Sequence, residues 1–155
     1  MVSFFFNKGA IDMGKYELTL TAQADTYENN DGNISLISAL AGYDRITNTA
    51  KNLTINAGEG NDTVINSGSN VMIAGGAGND RISLGGNAQE GTVIGGAGAD
   101  TIYTNGQGNL ILYTTGEGKD VINGFSGDDT IKVNGTITQY VQSGGDIIIT
   151  VGGAT

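Results

Sequence analysis

The chain contains no cysteine and no histidine, and these two absences exclude several kinds of chemistry. Disulfides, thiol nucleophiles, zinc clusters of cysteine and histidine, and histidine-based catalytic triads cannot be assembled. Proline is also absent, so the chain is not a proline-rich linker. Enzyme chemistry would have to use paired carboxylates or serine with lysine, and no Ser-x-x-Lys motif occurs. We therefore expect a protein that is not an enzyme.

Basic residues are few, with seven Lys and Arg against sixteen Asp and Glu, a net charge of −9 and a pI near 4.1. This charge argues against nucleic acid and anionic membranes as partners and favours cations. No apolar run approaches the ~18 residues of a membrane span. The apolar patch near the N-terminus is too short for the core of a cleaved signal peptide.

Glycine is abundant, with 27 of 155 residues, more than twice its average share. Much of it lies in a nine-residue repeat of the form Gly-Gly-x-Gly-x-Asp-x-apolar-x. Two copies are complete, GGAGNDRIS at 75–83 and GGAGADTIY at 95–103. Weaker copies occupy 57–65, 115–123 and 124–132, and residues 39–47 keep only the second half of the pattern.

The aspartates of this repeat define a longer period. They lie at 44, 62, 80, 100 and 120, with separations of 18, 18, 20 and 20, and Asp25 extends the row upstream. A second nonapeptide, built around asparagine, fills the intervals at 48–56, 66–74 and 105–113, and residues 84–94 fill the same slot with two residues inserted. The repeating unit is therefore an 18-residue coil with two unlike turns.

Residue types predict the shape of each coil. Glycine permits tight turns at positive φ, and the three residues after each turn have a strand-like pattern with an apolar residue in the middle. Stacked coils would form an all-β parallel solenoid without helices, since glycine interrupts every helical stripe. The predicted interior contains Ile46, Ile55, Val64, Ile73, Ile82, Val93, Ile102, Leu112 and Ile122.

The glycine turns have the chemistry of a cation site. Backbone carbonyls and a carboxylate offer hard oxygen ligands, which suit Ca²⁺ better than Mg²⁺ because Ca²⁺ tolerates irregular geometry. Stacking places the Asp62 turn against the Asp80 turn, and the same holds for Asp80/Asp100 and Asp100/Asp120. A column of carboxylates ~5 Å apart repels itself without cations. We therefore expect Ca²⁺ between stacked turns.

The repeats GGAGNDRIS and GGAGADTIY resemble the nonapeptide of the RTX family, the hemolysin-type calcium-binding β-roll. The resemblance implies a right-handed parallel β-roll and export by a type I secretion system, hence a secreted protein. It further implies that the Asp side chain and the first four carbonyls of each turn ligate Ca²⁺. Carried onto this sequence, the ligands are Asp62, Asp80, Asp100, Asp120, Gly58, Gly60, Gly75, Gly76, Ala77, Gly78, Gly95, Gly96, Ala97, Gly98, Gly116 and Gly118.

The opposite turns depart from the family pattern. RTX rolls commonly carry Ca²⁺ on both edges, whereas these turns hold Asn52, Asn70, Glu90 and Asn109. We expect about three Ca²⁺ ions on one edge, with a further one beside Asp44 left open. On the other edge we expect an amide ladder without metal. Asp128 and Asp129 fall on that second edge, where a solvated capping turn is favoured over a metal site.

The two ends lack the repeat and divide the chain into three parts. Residues 1–20 are predicted to be an N-terminal cap, 21–133 the calcium-binding β-roll, and 134–155 a C-terminal β cap, because exposed coil ends invite stacking. The favoured function is a secreted structural module that folds on Ca²⁺ binding. One alternative is a filament or surface-layer subunit that self-associates head to tail. Another is a non-catalytic C-terminal fragment of a larger RTX enzyme or toxin. Ice binding is disfavoured, because Arg81 and Val121 interrupt the threonine column of Thr63 and Thr101.

Overall fold

The computed structural model describes residues 3–4, 15–114, 117–135, 139–143 and 146–150, and these form strands and turns without a helix. They contain no helix with the length and apolar character needed to cross a membrane. In chain order the strands are β1 (Ser3–Phe4), β2 (Tyr16–Thr19), β3 (Thr26–Asn29), β4 (Ile34–Ser38), β5 (Arg45–Asn48), β6 (Leu53–Glu59), β7 (Thr63–Asn66), β8 (Val71–Ala77), β9 (Arg81–Leu84), β10 (Thr92–Ala97), β11 (Thr101–Thr104), β12 (Leu110–Thr114), β13 (Lys119–Asn123), β14 (Thr130–Asn134), β15 (Gln139–Ser143) and β16 (Asp146–Thr150).

From β2 to β15, successive strands alternate between two sheets, as expected for a solenoid. The first sheet has the order β1-β2-β4-β6-β8-β10-β12-β14, and the second has the order β15-β16-β13-β11-β9-β7-β5-β3. Each coil contributes one strand to each sheet, and equivalent strands pair in parallel, for example Ile55 with Ile73 and Val64 with Ile82. This confirms the predicted all-β parallel solenoid of stacked coils.

At one end of each sheet the outermost pairing reverses direction, whereas the other end pairings, β12 with β14 and β3 with β5, remain parallel. Strand β1 pairs antiparallel with β2, and β16 pairs antiparallel with both β13 and β15. Of these strands, β1, β2, β15 and β16 lie in the parts predicted to be caps, whereas β13 lies in the predicted β-roll. Most of the Phe4–Phe6 patch, and the last residue of the Ile147–Val151 run, lie outside the described residues.

The core is a thin double row of apolar side chains between the sheets. Eight of the nine predicted interior residues are buried, but the prediction of Leu112 is wrong, because Ile111 is fully buried and Leu112 is only half-buried. The error lies in the strand register, because Val93 pairs with Ile111 and not with Leu112. Asn70 occupies the left-handed position of its turn, and two coils later that position is occupied by Gly108 (φ 65), not by Asn109. Aligning Asn109 with Asn70 therefore shifted the predicted strand by one residue.

The asparagine edge contains an amide ladder, formed by different asparagines from those predicted. Asn52, Asn70 and Glu90 are exposed and have φ values of 59, 55 and 54, so they serve turns that require the left-handed conformation. The buried ladder consists of Asn29, Asn48 and Asn66, the last residues of β3, β5 and β7.

Neighbouring amides in this ladder are hydrogen-bonded directly. The Asn29 Nδ2 donates to Asn48 Oδ1 at 2.7 Å, and the Asn48 Nδ2 donates to Asn66 Oδ1 at 2.7 Å. The same amides also bond the backbone of their own turns, with Asn48 Nδ2 donating to the Ala50 carbonyl and Asn66 Nδ2 to the Gly68 carbonyl. The ladder satisfies its polar groups without a cation.

Asp129 continues this edge at the C-terminal end of the repeats. Its Oδ1 accepts the backbone N–H of Asn109 at 2.9 Å and the Asn109 Nδ2 at 3.0 Å, and its Oδ2 accepts the Ser126 N–H and hydroxyl at 3.0 and 3.1 Å. The carboxylate is buried and fully bonded, while Asp128 is exposed. The prediction of a solvated turn is therefore right for the exposed Asp128 side chain and wrong for Asp129, whose carboxylate is buried and bonded within the protein.

Removing one member of the amide ladder should destabilise the fold strongly. We expect Asn48→Ala to lower the free energy of unfolding in saturating Ca²⁺ by about 2–3 kcal/mol, since it leaves buried groups on Asn29 and Asn66 without partners. Urea unfolding followed by circular dichroism measures the change. Asn56→Ala, at an exposed strand position, is the matched control and should cost under ~0.5 kcal/mol. Equal losses would contradict the ladder.

Candidate metal centre

The repeat aspartates lie in one column on the edge opposite the amide ladder. Each carboxylate Oδ1 accepts the backbone N–H of the aspartate one coil earlier. Asp62 accepts from Asp44, Asp80 from Asp62 and Asp100 from Asp80, each at 2.8 Å, and Asp120 accepts from Asp100 at 2.9 Å. The four aspartates predicted as ligands are therefore brought together by a ladder between side chain and backbone.

The second oxygen of each carboxylate has no such partner. The Oδ2 atoms of Asp44, Asp62, Asp80, Asp100 and Asp120 are buried and accept no hydrogen bond. These residues are only 1–3 % exposed. A buried, unbonded carboxylate oxygen is costly unless a cation or proton compensates it.

The turns that carry these aspartates require glycine for their backbone geometry. Gly58, Gly76 and Gly96 have φ values of 112, 114 and 104, which side-chain-bearing residues rarely adopt. A Cβ atom on any of them would lie under 3.0 Å from a carbonyl of the preceding coil. The second set, at the fourth position of the turn, has the same property and contains Gly60, Gly78, Gly98 and Gly118.

Gly75 and Gly95 keep space open beside the carboxylates. A Cβ on Gly75 would lie under 3.0 Å from both the Asp80 Oδ2 and the Gly95 carbonyl oxygen, and a Cβ on Gly95 would meet the Asp100 Oδ2 in the same way. The structure thus brings the unbonded oxygen of one coil close to a backbone carbonyl of the next. This is the arrangement that a bridging cation needs.

Among the other predicted ligands, the Ala77 and Ala97 carbonyls already accept a hydrogen bond from a neighbouring coil. The Ala77 carbonyl accepts the Gly60 N–H at 2.7 Å, and the Ala97 carbonyl accepts the Gly78 N–H at 2.8 Å. These two carbonyls keep only one lone pair for a cation. Gly116 lies outside the described residues.

Burial changes the acidity of this column. Desolvation raises the pKa of Asp62, Asp80, Asp100 and Asp120 from 3.8 to about 6, with a smaller contribution from neighbouring carboxylates, while the accepted backbone N–H opposes the rise. Burial also raises the pKa of Asp44. The fold therefore disfavours the charged carboxylates when nothing compensates them.

The donor set fits Ca²⁺. Within the described ranges no three carboxylates converge on one point, so a cation would take most of its ligands from backbone carbonyls and one or two from aspartates. Ca²⁺ is bound by carbonyl and carboxylate oxygens, and it tolerates variation in their number and geometry.

Two features of the site were missed by sequence reasoning. Tyr113 is buried, and its hydroxyl donates to the Gly118 carbonyl at 2.5 Å, which places a phenol in the Asp120 turn. Asn61 and Asn79 form an outer ladder, in which the Asn61 Oδ1 accepts the Asn79 N–H at 2.7 Å and the Asn79 Oδ1 accepts the Ala99 N–H at 2.8 Å. The repeated Asn before Asp was visible in the sequence, whereas nothing marked Tyr113.

The model of the RTX calcium-binding nonapeptide repeat matches the chain in four copies, over residues 56–88, 86–111 and 113–135. These segments cover just over half of the chain. The chain belongs to the family of RTX calcium-binding repeat proteins. No curated protein and no solved structure gave a significant match. With the parallel solenoid and the unbonded carboxylate oxygens, membership identifies a calcium-binding β-roll module.

The raised pKa values predict how acid affects the calcium-free chain. A carboxyl group with a pKa near 6 in the fold and near 3.8 outside it stabilises the fold when protonated, and this stabilisation is lost as pH rises through 6. In calcium-free buffer, the folded fraction measured by circular dichroism should therefore increase as pH falls from 7 to 5.

A variant without the four carboxylates provides the control. Replacing Asp62, Asp80, Asp100 and Asp120 together by Asn keeps an oxygen for the backbone N–H but removes the titration. Its folded fraction should change much less over the same pH interval. A wild-type folded fraction that stays flat or falls on acidification would contradict the assignment.

Proposed function

We propose that the chain is a secreted module whose folding is coupled to Ca²⁺ binding outside the cell. The observation that carries the proposal is the column of five buried carboxylates, each with one oxygen bonded and one without a partner. Binding of Ca²⁺ to these oxygens would become folding free energy, as in other small domains whose fold depends on a metal.

The calcium-free fold has little to offset its own costs. Ordering the glycine turns carries a high loss of backbone entropy. The apolar interior is thin, and the ionised carboxylates repel one another along the stack. We therefore expect the chain without Ca²⁺ to be largely unfolded at neutral pH.

The difference in calcium concentration across the cell envelope would make this property useful. Extracellular modules bind Ca²⁺ with Kd values of roughly 10⁻⁴–10⁻³ M, far above normal cytosolic calcium. The turns would stay empty inside the cell and fill after export. Type I secretion, typical of the family, fits a chain that must remain unfolded until it is outside.

We place the ions on the aspartate edge, with one Ca²⁺ in each of the gaps Asp62/Asp80, Asp80/Asp100 and Asp100/Asp120. Supporting this asymmetry, the buried carboxylate oxygens without partners in the described residues all belong to that edge. On the other edge the Asn48 amide and the Asp129 carboxylate are bonded within the protein. The proposed role is binding and structural support rather than catalysis, in keeping with the absence of histidine and cysteine.

The first test is a calcium titration followed by circular dichroism. Folding should be cooperative in Ca²⁺, because each ion bridges two coils. Asp80→Ala and Asp100→Ala each alter two gaps and should raise the calcium midpoint about tenfold or more, equivalent to about 1.4 kcal/mol or more. Asn70→Gly, which removes the side chain on the opposite edge but keeps the left-handed turn position, should shift it much less. So should Asp128→Ala, which removes the same charge from an exposed site. A chain that is fully folded in excess chelator would refute the proposal.

The second test locates the ions. A crystal structure of the calcium-loaded chain, with anomalous differences measured for Ca²⁺, should show a row of ions beside Asp62, Asp80, Asp100 and Asp120. The edge formed by Asn29, Asn48 and Asn66 should show none. Equal rows on both edges would contradict the proposed asymmetry.

A further inference from the structure

The turn at residues 39–44 differs from the calcium-binding repeat in sequence. It reads ALAGYD, it lacks the leading Gly-Gly, and it lies before the segment that matches the family model, which begins at residue 56. Leu40 stands where Gly58, Gly76 and Gly96 stand in the following coils. The sequence pattern alone therefore leaves a metal site beside Asp44 open.

The backbone of this turn nevertheless has the repeat geometry. Leu40 has a φ of 74, a left-handed conformation that costs a residue with a side chain roughly 1–2 kcal/mol. Its carbonyl accepts the Glu59 N–H at 2.9 Å and lies under 3.0 Å from where a Cβ on Gly58 would be. The Gly58 carbonyl stands in the same relation to Gly76. The row of turn carbonyls thus continues through Leu40.

Gly42 extends the same correspondence to the fourth position of the turn. Its φ is 142, and its N–H donates to the Glu59 carbonyl at 2.8 Å. In the next coil, the Gly60 N–H donates to the Ala77 carbonyl at 2.7 Å. Stacking therefore holds the Asp44 turn in the shape that the motif glycines give to later turns.

The Asp44 carboxylate matches the later aspartates atom by atom. It is 2 % exposed, its Oδ1 accepts the Asp25 N–H at 2.7 Å, and its Oδ2 is buried without a partner. Asp62 has the same three properties. An unbonded, buried carboxylate oxygen beside a row of turn carbonyls is what distinguishes the cation turns of this chain.

Asp25, one coil earlier, shows where the column ends. Its Oδ2 accepts the Thr21 N–H at 2.8 Å and the Thr21 hydroxyl at 2.7 Å. Both donors belong to the chain itself, so the oxygen that would face a cation is already bonded. The Asp25 Oδ2 therefore accepts hydrogen bonds from Thr21, whereas the Asp44 Oδ2 accepts none.

We infer that Asp44 holds a further Ca²⁺ in the gap between its turn and the Asp62 turn. The column of ions ends there, because the hydrogen bonds from Thr21 already occupy the Asp25 oxygen that would bind the next ion. The inference rests on the proposed function and extends it to a turn outside the recognised repeat. The ligands would be the Asp44 carboxylate and backbone carbonyls of the two turns, including that of Leu40.

The experiment counts bound ions by native mass spectrometry of the folded chain in Ca²⁺, with circular dichroism to confirm folding. The wild type should bind one ion more than the three gaps between Asp62 and Asp120 account for. Asp44→Asn keeps an oxygen for the Asp25 N–H and should bind one ion fewer than the wild type. Asp25→Asn is the matched control from the same ladder and should keep the wild-type number.

The outcomes separate this inference from the proposed function. A wild type that binds no Ca²⁺ would overturn both. A wild type with ions for the three later gaps only, an Asp44→Asn variant with the wild-type number, or an equal loss in Asp25→Asn would overturn the inference alone. If Asp44→Asn does not fold, the wild-type count decides, since it differs by one ion between the two models.

Discussion

The structure depends on one interaction, the hydrogen bond that the backbone N–H of one coil donates to a buried aspartate oxygen of the next coil. This bond fixes the spacing of the turns and draws each carboxylate into the protein, where its second oxygen loses water and gains no partner. The coils can stack closely only if something else compensates that oxygen. The proposed dependence of folding on Ca²⁺ would thus be a consequence of the way in which the turns are joined.

The two edges of the solenoid solve the same stacking problem with different chemistry. An amide such as Asn48 both donates and accepts, so a column of amides is closed by its own hydrogen bonds. A carboxylate only accepts, and a column of carboxylates always has oxygens in excess. One edge is therefore satisfied within the protein, while the other leaves carboxylate oxygens that a cation from solution can bind.

Much of the fold could be predicted because glycine, aspartate and apolar residues recur with a fixed period. The spacing from Asp62 to Asp80 gave the coil length, and the apolar residue after each turn gave the core. The period does not show which of two nearby residues points into the protein. The ladder was therefore predicted at Asn52 and Asn70, whereas Asn48 and Asn66 form it. For the same reason Leu112 was predicted in the core position that Ile111 occupies. The contact of Tyr113 with the Gly118 carbonyl follows from an insertion between Asp100 and Asp120, which no repeat pattern describes.

The register between coils has a consequence for the length of the molecule. Residues 53–58 pair position by position with 71–76, and 63–66 pair with 81–84, at an offset of 18. A coil in such a stack contacts only its neighbours. A second copy of residues 57–74 inserted after Ala74 would meet the coil that begins at residue 75 as the original does, and would meet the original coil at the same 18-residue offset. Each inserted copy would lengthen the solenoid by about 4.8 Å, which makes the chain a scaffold of adjustable size.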